Sequence, residues 1–375
     1  MRLLALACAL LVAACSPLAG HLPAKGSATA GNPGTASLQA FVPVAERFVE
    51  QHRGLKFKQK VKVTFLSDAD FRSRLAATSN IDAPAFATEA KVFEALGLVD
   101  GRPDLAKAEQ ELQGAGVIGF YDPKTKELAV RGVEAKPSVR HVVVHELTHA
   151  LQDQWFGLDR PPHNDDESDL AFTTLVEGDA VRIENQYIAS LSEADRAQAE
   201  QTSGSRPPSD VPQVLLELES FPYIVGPPFT QAVVAAGGES RLDKAFTTPP
   251  TTTAEVIHPN RFLSGLSVSQ VDFPDAGGAV IDKGVIGEFG LDLLLERMGG
   301  RGEVNRADAQ TIATSWAGDR YVAWEQGSQT CVRTRLQLTG TAATRVLLNA
   351  LGRFAADHPG TTVEGSAPVL FTACG

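Results

Sequence analysis

Val142 to Gln154 is an unbroken apolar-periodic run with two histidines, His145 and His149, set four residues apart. A run of that length and period is a helix. Positions i and i+4 stand one above the other on a helical face, so both imidazoles can close on one small cation. Imidazole nitrogen suits zinc, and a catalytic zinc site takes three protein ligands with a fourth place left for water. Glu146, beside His145, stands close enough to take a proton from that water. Pro137-Ser138 can start the helix, with Ser138 as N-cap, and Gly157 can end it, which leaves the motif mid-helix. A structural helix with two satisfied core histidines is the plainer alternative.

The rest of the chain sets bounds around that helix. Its 375 residues suffice for one large domain or two smaller ones with cores of their own. A net charge of −11 argues against a nucleic-acid partner, because phosphate binding needs a basic surface.

Residues 1–14 read as an export signal. Met1-Arg2 is a minimal positive start, and Leu3 to Val12 is apolar but too short to span a bilayer. The segment ends in Val12-Ala13-Ala14-Cys15-Ser16, which resembles the bacterial lipobox. That resemblance implies cleavage before Cys15, acylation of Cys15 and a tether to the lipid bilayer of the cell envelope, with Ser16 pointing to the outer membrane. An ordinary signal peptide cut nearby is the alternative. Residues 15–37, rich in Gly, Ala, Pro, Ser and Thr, read as a disordered tether. With Cys8 removed and Cys15 committed to lipid, Cys331 and Cys374 remain, and two cysteines in an oxidising compartment favour a bond.

Ordered structure is expected from Leu38, as a helix to about Val49 with Pro43 in its first turn. Lys60–Leu66 alternates as a strand, and Ser67 caps a helix starting at Asp68. Helices follow over about Phe86–Leu96 and Pro103–Leu112. Gly116–Tyr121 and Glu127–Arg131, flanking Asp122-Pro123-Lys124-Thr125-Lys126, read as a hairpin. Beyond Gly157 comes an acidic loop through His163 to Glu167, then a second amphipathic helix from about Ser168 to Ser190. Ser192–Pro212 reads as a mobile insertion. Further on, helices are expected over Val285–Met298, Arg306–Ser315 and Thr341–Asp357. A hairpin is expected from Arg320–Glu325 and Cys331–Leu338, and a last strand over Pro368–Cys374. If the strands at Cys331 and Cys374 run antiparallel as neighbours, the two Cα atoms fall within disulfide range, about 4.4–6.8 Å.

The third ligand decides the kind of site. His141 lies a turn before His145, about 6 Å up the helix axis, too far to share an ion with His149. It suits the helix start or a place behind the ligands. The extension H-E-x-x-H-x-x-G-x-x-H fails, since the relevant positions hold Gln152 and Trp155. Glu177, on the next helix, is the best remaining candidate, and Gly178 beside it removes a side chain that would hold two helices apart.

His145-Glu146-Leu147-Thr148-His149 followed by a helix with Glu177-Gly178-Asp179-Ala180 resembles the gluzincin branch of the zincin metallopeptidases, over about Gly116 to Tyr187. The resemblance implies Zn²⁺ held by His145, His149 and Glu177, with Glu146 as general base for cleavage of a peptide or protein substrate. It also implies a sheet whose edge strand lines the cleft. It departs from the thermolysin pattern E-x-x-x-D, because Val181 stands where an Asp would. Asp153, one turn after His149, is the favoured acid to orient the zinc histidines, with Asp179 as the other candidate. By the same resemblance, a downstream His or Tyr stabilises the oxyanion, and Tyr223 and His258 are the candidates. A capping role beside Pro259 is the alternative for His258.

The expectation is therefore an α+β chain. A zincin-like domain over residues 38–262 would hold a mixed sheet with an edge hairpin, an active-site helix and a second ligand-bearing helix. A C-terminal part over residues 263–375, α/β or α+β, would wall the cleft or recognise a partner. The rival from another class is a catalytically silent lipoprotein that keeps this fold as a binding or envelope-assembly module.

Overall fold

The computed structural model describes residues 12–13, 37–79, 81–160, 165–200 and 209–375. The export signal apart from Val12–Ala13, Cys15, most of the tether and His163 lie outside the described residues. Among the described residues no helix is long and apolar enough to cross a membrane.

The chain is α+β, with two sheets and a majority of helix. After β1 (Val12–Ala13) come α1 (Leu38–Arg53), β2 (Lys62–Leu66), α2 (Asp68–Thr78), α3 (Ala83–Ala95) and α4 (Leu105–Gly116). The hairpin β3 (Gly119–Asp122) and β4 (Glu127–Arg131) leads into α5 (Pro137–Phe156), α6 (Asp166–Ser190), α7 (Glu193–Glu200) and α8 (Gln213–Thr247). Then follow α9 (Thr253–Ile257), α10 (Pro259–Ser264), β5 (Val280–Gly284), α11 (Gly287–Gly300) and α12 (Arg306–Thr314). The chain closes with β6 (Trp316–Gln326), β7 (Gln329–Leu338), α13 (Thr341–Asp357), β8 (Thr362–Glu364) and β9 (Val369–Cys374).

Local chemistry accounts for most of these boundaries. Ser37, Ser67, Asp104, Asp165 and Asn305 each accept a backbone N–H as helix N-caps. Gly54 ends α1 in the left-handed conformation that glycine adopts without strain. Three expectations need correction. Pro43 lies in the second turn of α1 rather than the first. The cap of α5 is Lys136, with Pro137 at the first helical position where its missing N–H costs nothing, rather than Ser138. The segment expected as a mobile insertion contains α7.

The first sheet has the order β1-β3-β4-β2, with β3–β4 antiparallel and β2–β4 parallel. It is mixed as expected, but the hairpin is central rather than at the edge, because β1 pairs with β3 and β2 with β4. The second sheet, β5-β6-β7-β9-β8, is antiparallel throughout, so the C-terminal part is α+β rather than α/β. Its register sets Cys331 opposite Cys374, and the two form a disulfide with Cα atoms 4.0 Å apart. Gly375 and Thr330 exchange both backbone hydrogen bonds, which leaves the cysteines as a closely spaced pair without hydrogen bonds.

α5 is the buried axis of the N-terminal part. Every residue from His141 to Asp153 is buried. Val143, Val144, Leu147 and Leu151 pack against Phe41 and Val49 of α1, Leu128 and Val130 of β4, and Ile183 of α6. A larger core joins Phe86, Phe93 and Leu105 of α3 and α4 to Leu291, Trp316, Leu347 and Phe371, so one buried cluster spans both sides of the 262/263 division.

Candidate metal centre

α5 and α6 bring His145, His149 and Glu177 together. Glu177 Oε2 lies 3.2 Å from His145 Nε2 and 3.6 Å from His149 Nε2. Both histidines are fully buried and Glu177 nearly so. Among the described residues this is the set of three ligating side chains whose donor atoms all lie within 4.8 Å of one another. None of the three converging atoms has a hydrogen-bond partner. Buried polar atoms without hydrogen bonds are costly, and three of them aimed at one point suit a cation site. Two donors of a tetrahedral ion at about 2.0–2.1 Å lie roughly 3.3 Å apart. The spacing here matches that requirement, so the cluster could hold a metal ion.

The other ring nitrogens are held from behind. His145 Nδ1 donates to Glu184 Oε2 at 2.9 Å, and His141 Nδ1 to Glu184 Oε1 at 2.5 Å. His149 Nδ1 donates to Gln152 Oε1 at 2.9 Å. Gln152 cannot be turned over, because its Nε2 donates both to Val176 O at 3.1 Å and to Asp179 Oδ2 at 3.0 Å. A proton fixed on each Nδ1 leaves each Nε2 lone pair free for a metal.

Asp179 is in turn clamped by Arg53 at 2.7 Å and Arg182 at 2.9 Å, and both arginines reach Glu239. Arg53 also meets Asp243 at 2.7 Å. The path His149–Gln152–Asp179–Arg53 thus ties the ligand on α5 to α1, α6 and α8.

Asp153, the acid favoured from the sequence, is engaged elsewhere. It accepts from the Tyr121 hydroxyl at 2.7 Å, from Lys126 at 2.8 Å and from Leu158 N at 2.8 Å. Through these bonds it fastens the hairpin and the helix end. Asp179 acts on His149 through Gln152 and makes no direct bond to it. The acid behind His145 is Glu184, which sequence reasoning missed. Its signal was present: Glu184 follows Glu177 by seven residues, two helical turns on the same face. Gln152, three residues after His149, was legible by the same logic.

Charges follow this wiring. Burial would lower the His145 ring, but Glu177 and Glu184 raise it well above its ordinary value. Burial lowers His149, with Glu177 opposing. Burial would raise Glu177, yet His149 and His145 hold it below the usual carboxylate range. Glu184 is held at about 2 against its burial by hydrogen bonds from His141 and His145.

Glu146 is buried, and its Oε2 accepts the backbone N–H of Tyr121 on β3 at 2.8 Å. Gly119 lets that strand approach: a Cβ there would lie 3.0 Å from Val142 Cγ1 and 3.4 Å from Glu146 Cγ. Tyr223, on α8, lies with its ring roughly parallel to that of His145, centroids 6.4 Å apart. His258 is not a side-chain cap for α10; its Nε2 is paired with Glu288 at 2.6 Å, and among the described residues no hydrogen bond or ion pair joins it to His145, His149 or Glu177. Gly178 does ease a helix contact, but the neighbour is α8, where Gly226 meets it backbone to backbone.

No protein-family model matches the chain, and neither a curated protein nor a solved structure matches it.

Proposed function

We propose that the protein is a zinc-dependent peptidase of zincin type, exported and tethered to the cell envelope through acylated Cys15. The single observation that carries this reading is the convergence of three buried, unpartnered donor atoms beside Glu146. His145, His149 and Glu177 would hold the ion. When bound, Zn²⁺ supplies a Lewis acid that acidifies water and polarises a carbonyl.

Glu146 takes the proton of the attacking water and returns it to the departing amine, the work of a buried carboxylate beside the ligands. Glu184 and Gln152 keep the imidazoles in one tautomer and one orientation. Tyr223, whose ring centroid stands 6.4 Å from that of His145, is the candidate to donate a hydrogen bond to the developing oxyanion. The first sheet supports the reading through β3, whose backbone N–H at Tyr121 holds the Glu146 carboxylate.

The test measures zinc and peptide hydrolysis in the full chain and in two variants. The expected wild type holds about one zinc per chain. Glu177→Ala weakens binding. Glu146→Gln keeps the ion and loses turnover by about 10² or more. Turnover retained in Glu146→Gln removes Glu146 as the base, zinc-loaded protein without any peptide turnover removes the peptidase reading, and a metal-replete protein without zinc removes the site.

A further inference from the structure

Glu146 and Asp153 stand seven residues apart on α5, two helical turns and about 10.5 Å along one face. A single residue of β3 bridges them. The Tyr121 N–H donates to Glu146 Oε2 at 2.8 Å, and the Tyr121 hydroxyl donates to Asp153 Oδ2 at 2.7 Å. All three residues are buried. Tyr121 thus lies along the helix and ties the carboxylate beside the metal ligands to an acid in the last turn of α5.

Further contacts keep the strand from sliding along that helix. Two residues before Tyr121, Gly119 brings its backbone against α5, where a Cβ would lie 3.0 Å from Val142 Cγ1 and 3.4 Å from Glu146 Cγ. After Tyr121, Lys126 places its Nζ 3.0 Å from Asp153 Oδ1 and 2.8 Å from Oδ2. It does so from the hairpin turn with a φ of 59°, a left-handed conformation uncommon outside glycine. Asp122 holds that turn by accepting Lys124 N at 2.9 Å and the Thr125 hydroxyl at 2.8 Å. Leu158 N reaches Asp153 Oδ1 at 2.8 Å. Asp153 therefore gathers the strand, the turn and the chain leaving α5 at one point.

Such a clamp has a use at Glu146. A loose glutamate side chain samples several rotamers, whereas a base must keep both its distance and its direction to the water it deprotonates. A misplacement of about 1 Å can cost about 10²-fold in rate. Helical period fixes the backbone of Glu146 but not its carboxylate. The Tyr121 N–H fixes the carboxylate, and Asp153 fixes Tyr121. We propose that Tyr121 and Asp153 are positioning residues for Glu146, with Asp153 acting on the base through Tyr121 rather than on a zinc histidine. This rests on the peptidase reading above.

The test uses the zinc-loaded full chain with Tyr121→Phe, Asp153→Ala, Asp153→Asn and Glu146→Ala. Peptide turnover is split into kcat and KM, zinc affinity is read by chelator competition, and exchange of the residue-121 amide is followed by NMR. Tyr121→Phe and Asp153→Ala should each lower kcat by about tenfold or more, with KM and zinc affinity within about twofold. Asp153→Asn, which still accepts the hydroxyl, should recover most of the loss seen in Asp153→Ala. Tyr121→Phe combined with Asp153→Ala should be no slower than Asp153→Ala alone, because both changes break one link. Exchange at residue 121 should quicken by about tenfold or more in Glu146→Ala and in Asp153→Ala. A kcat unchanged in both Tyr121→Phe and Asp153→Ala overturns the proposal, and so does a fall matched by an equal loss of zinc affinity. Zinc-loaded wild type without turnover removes the peptidase reading. Amide exchange then decides the link by itself: unchanged in Asp153→Ala it overturns the link, and quickened it keeps it.

Discussion

Glu184 gives one carboxylate oxygen to His145, at 2.9 Å, and the other to His141 a turn earlier. One acid on α6 therefore fixes a histidine of the candidate metal site and a second histidine one turn earlier on the same helix. Replacing it with the isosteric amide keeps the shape and removes the charge that makes His145 a strong donor. Glu184→Gln should weaken zinc binding by about 10–100-fold, measured by competition with a chromophoric chelator. Unchanged affinity would remove Glu184 from the site.

The same carboxylate sets an acid limit. Burial alone would raise it, but His141 and His145 hold it at about 2 rather than 4.5. A depressed carboxyl stabilises the fold above its unfolded value, and that stability is lost as pH falls from about 4.5 towards 2. In metal-free protein, the wild type should exceed Glu184→Gln in unfolding free energy at pH 6 by on the order of 3 kcal/mol. The gap should close as pH approaches 2. A gap that stays constant over that range would show that the carboxyl is not held down by its histidines.

Arg53 carries the load on the other side. It is fully buried and bonds to Asp179, Asp243 and Glu239. Arg53→Met leaves Asp179 with Arg182 alone and strands Asp243, so the cost should be about 3–5 kcal/mol by urea unfolding. Because Asp179 positions Gln152, zinc affinity should fall as well. A loss below about 1 kcal/mol would place the cluster with ordinary surface pairs.

Much of this was legible in the chain. His145 and His149 are fixed to one face by helical period, with Glu146 about a third of a turn from His145, and Glu177 lay on the next helix. The register at Cys331 and Cys374 followed from two alternating segments. What escaped depends on tertiary packing. Nothing local distinguishes Asp153 from Glu184 as the orienting acid, because the choice turns on where Tyr121, Lys126 and His141 lie. α8 was missed for another reason: Pro222, Pro227 and Pro228 argue against a helix locally, yet its core is buried against α6 and outweighs them.

The contact that holds α8 to α6 gives the most direct test of how packing reaches the metal. Gly226 meets Gly178 beside Glu177, and a Cβ built on Gly226 would lie 2.4 Å from Thr174 O and 2.6 Å from Gly178 Cα. Backbone cannot swing away as a side chain can, so Gly226→Ala must separate the helices and should cost about 1–3 kcal/mol or more. Glu177 moves with α6, and zinc affinity should fall in step. Gly352, exposed on α13 with nothing within 4 Å of a Cβ, is the control. There the same change should stabilise the fold by about 0.8–1 kcal/mol through helix propensity. Opposite signs at the two glycines, with zinc binding altered only at Gly226, would tie the metal centre to the helix crossing. Normal stability and affinity in Gly226→Ala would show that the crossing is not what positions Glu177.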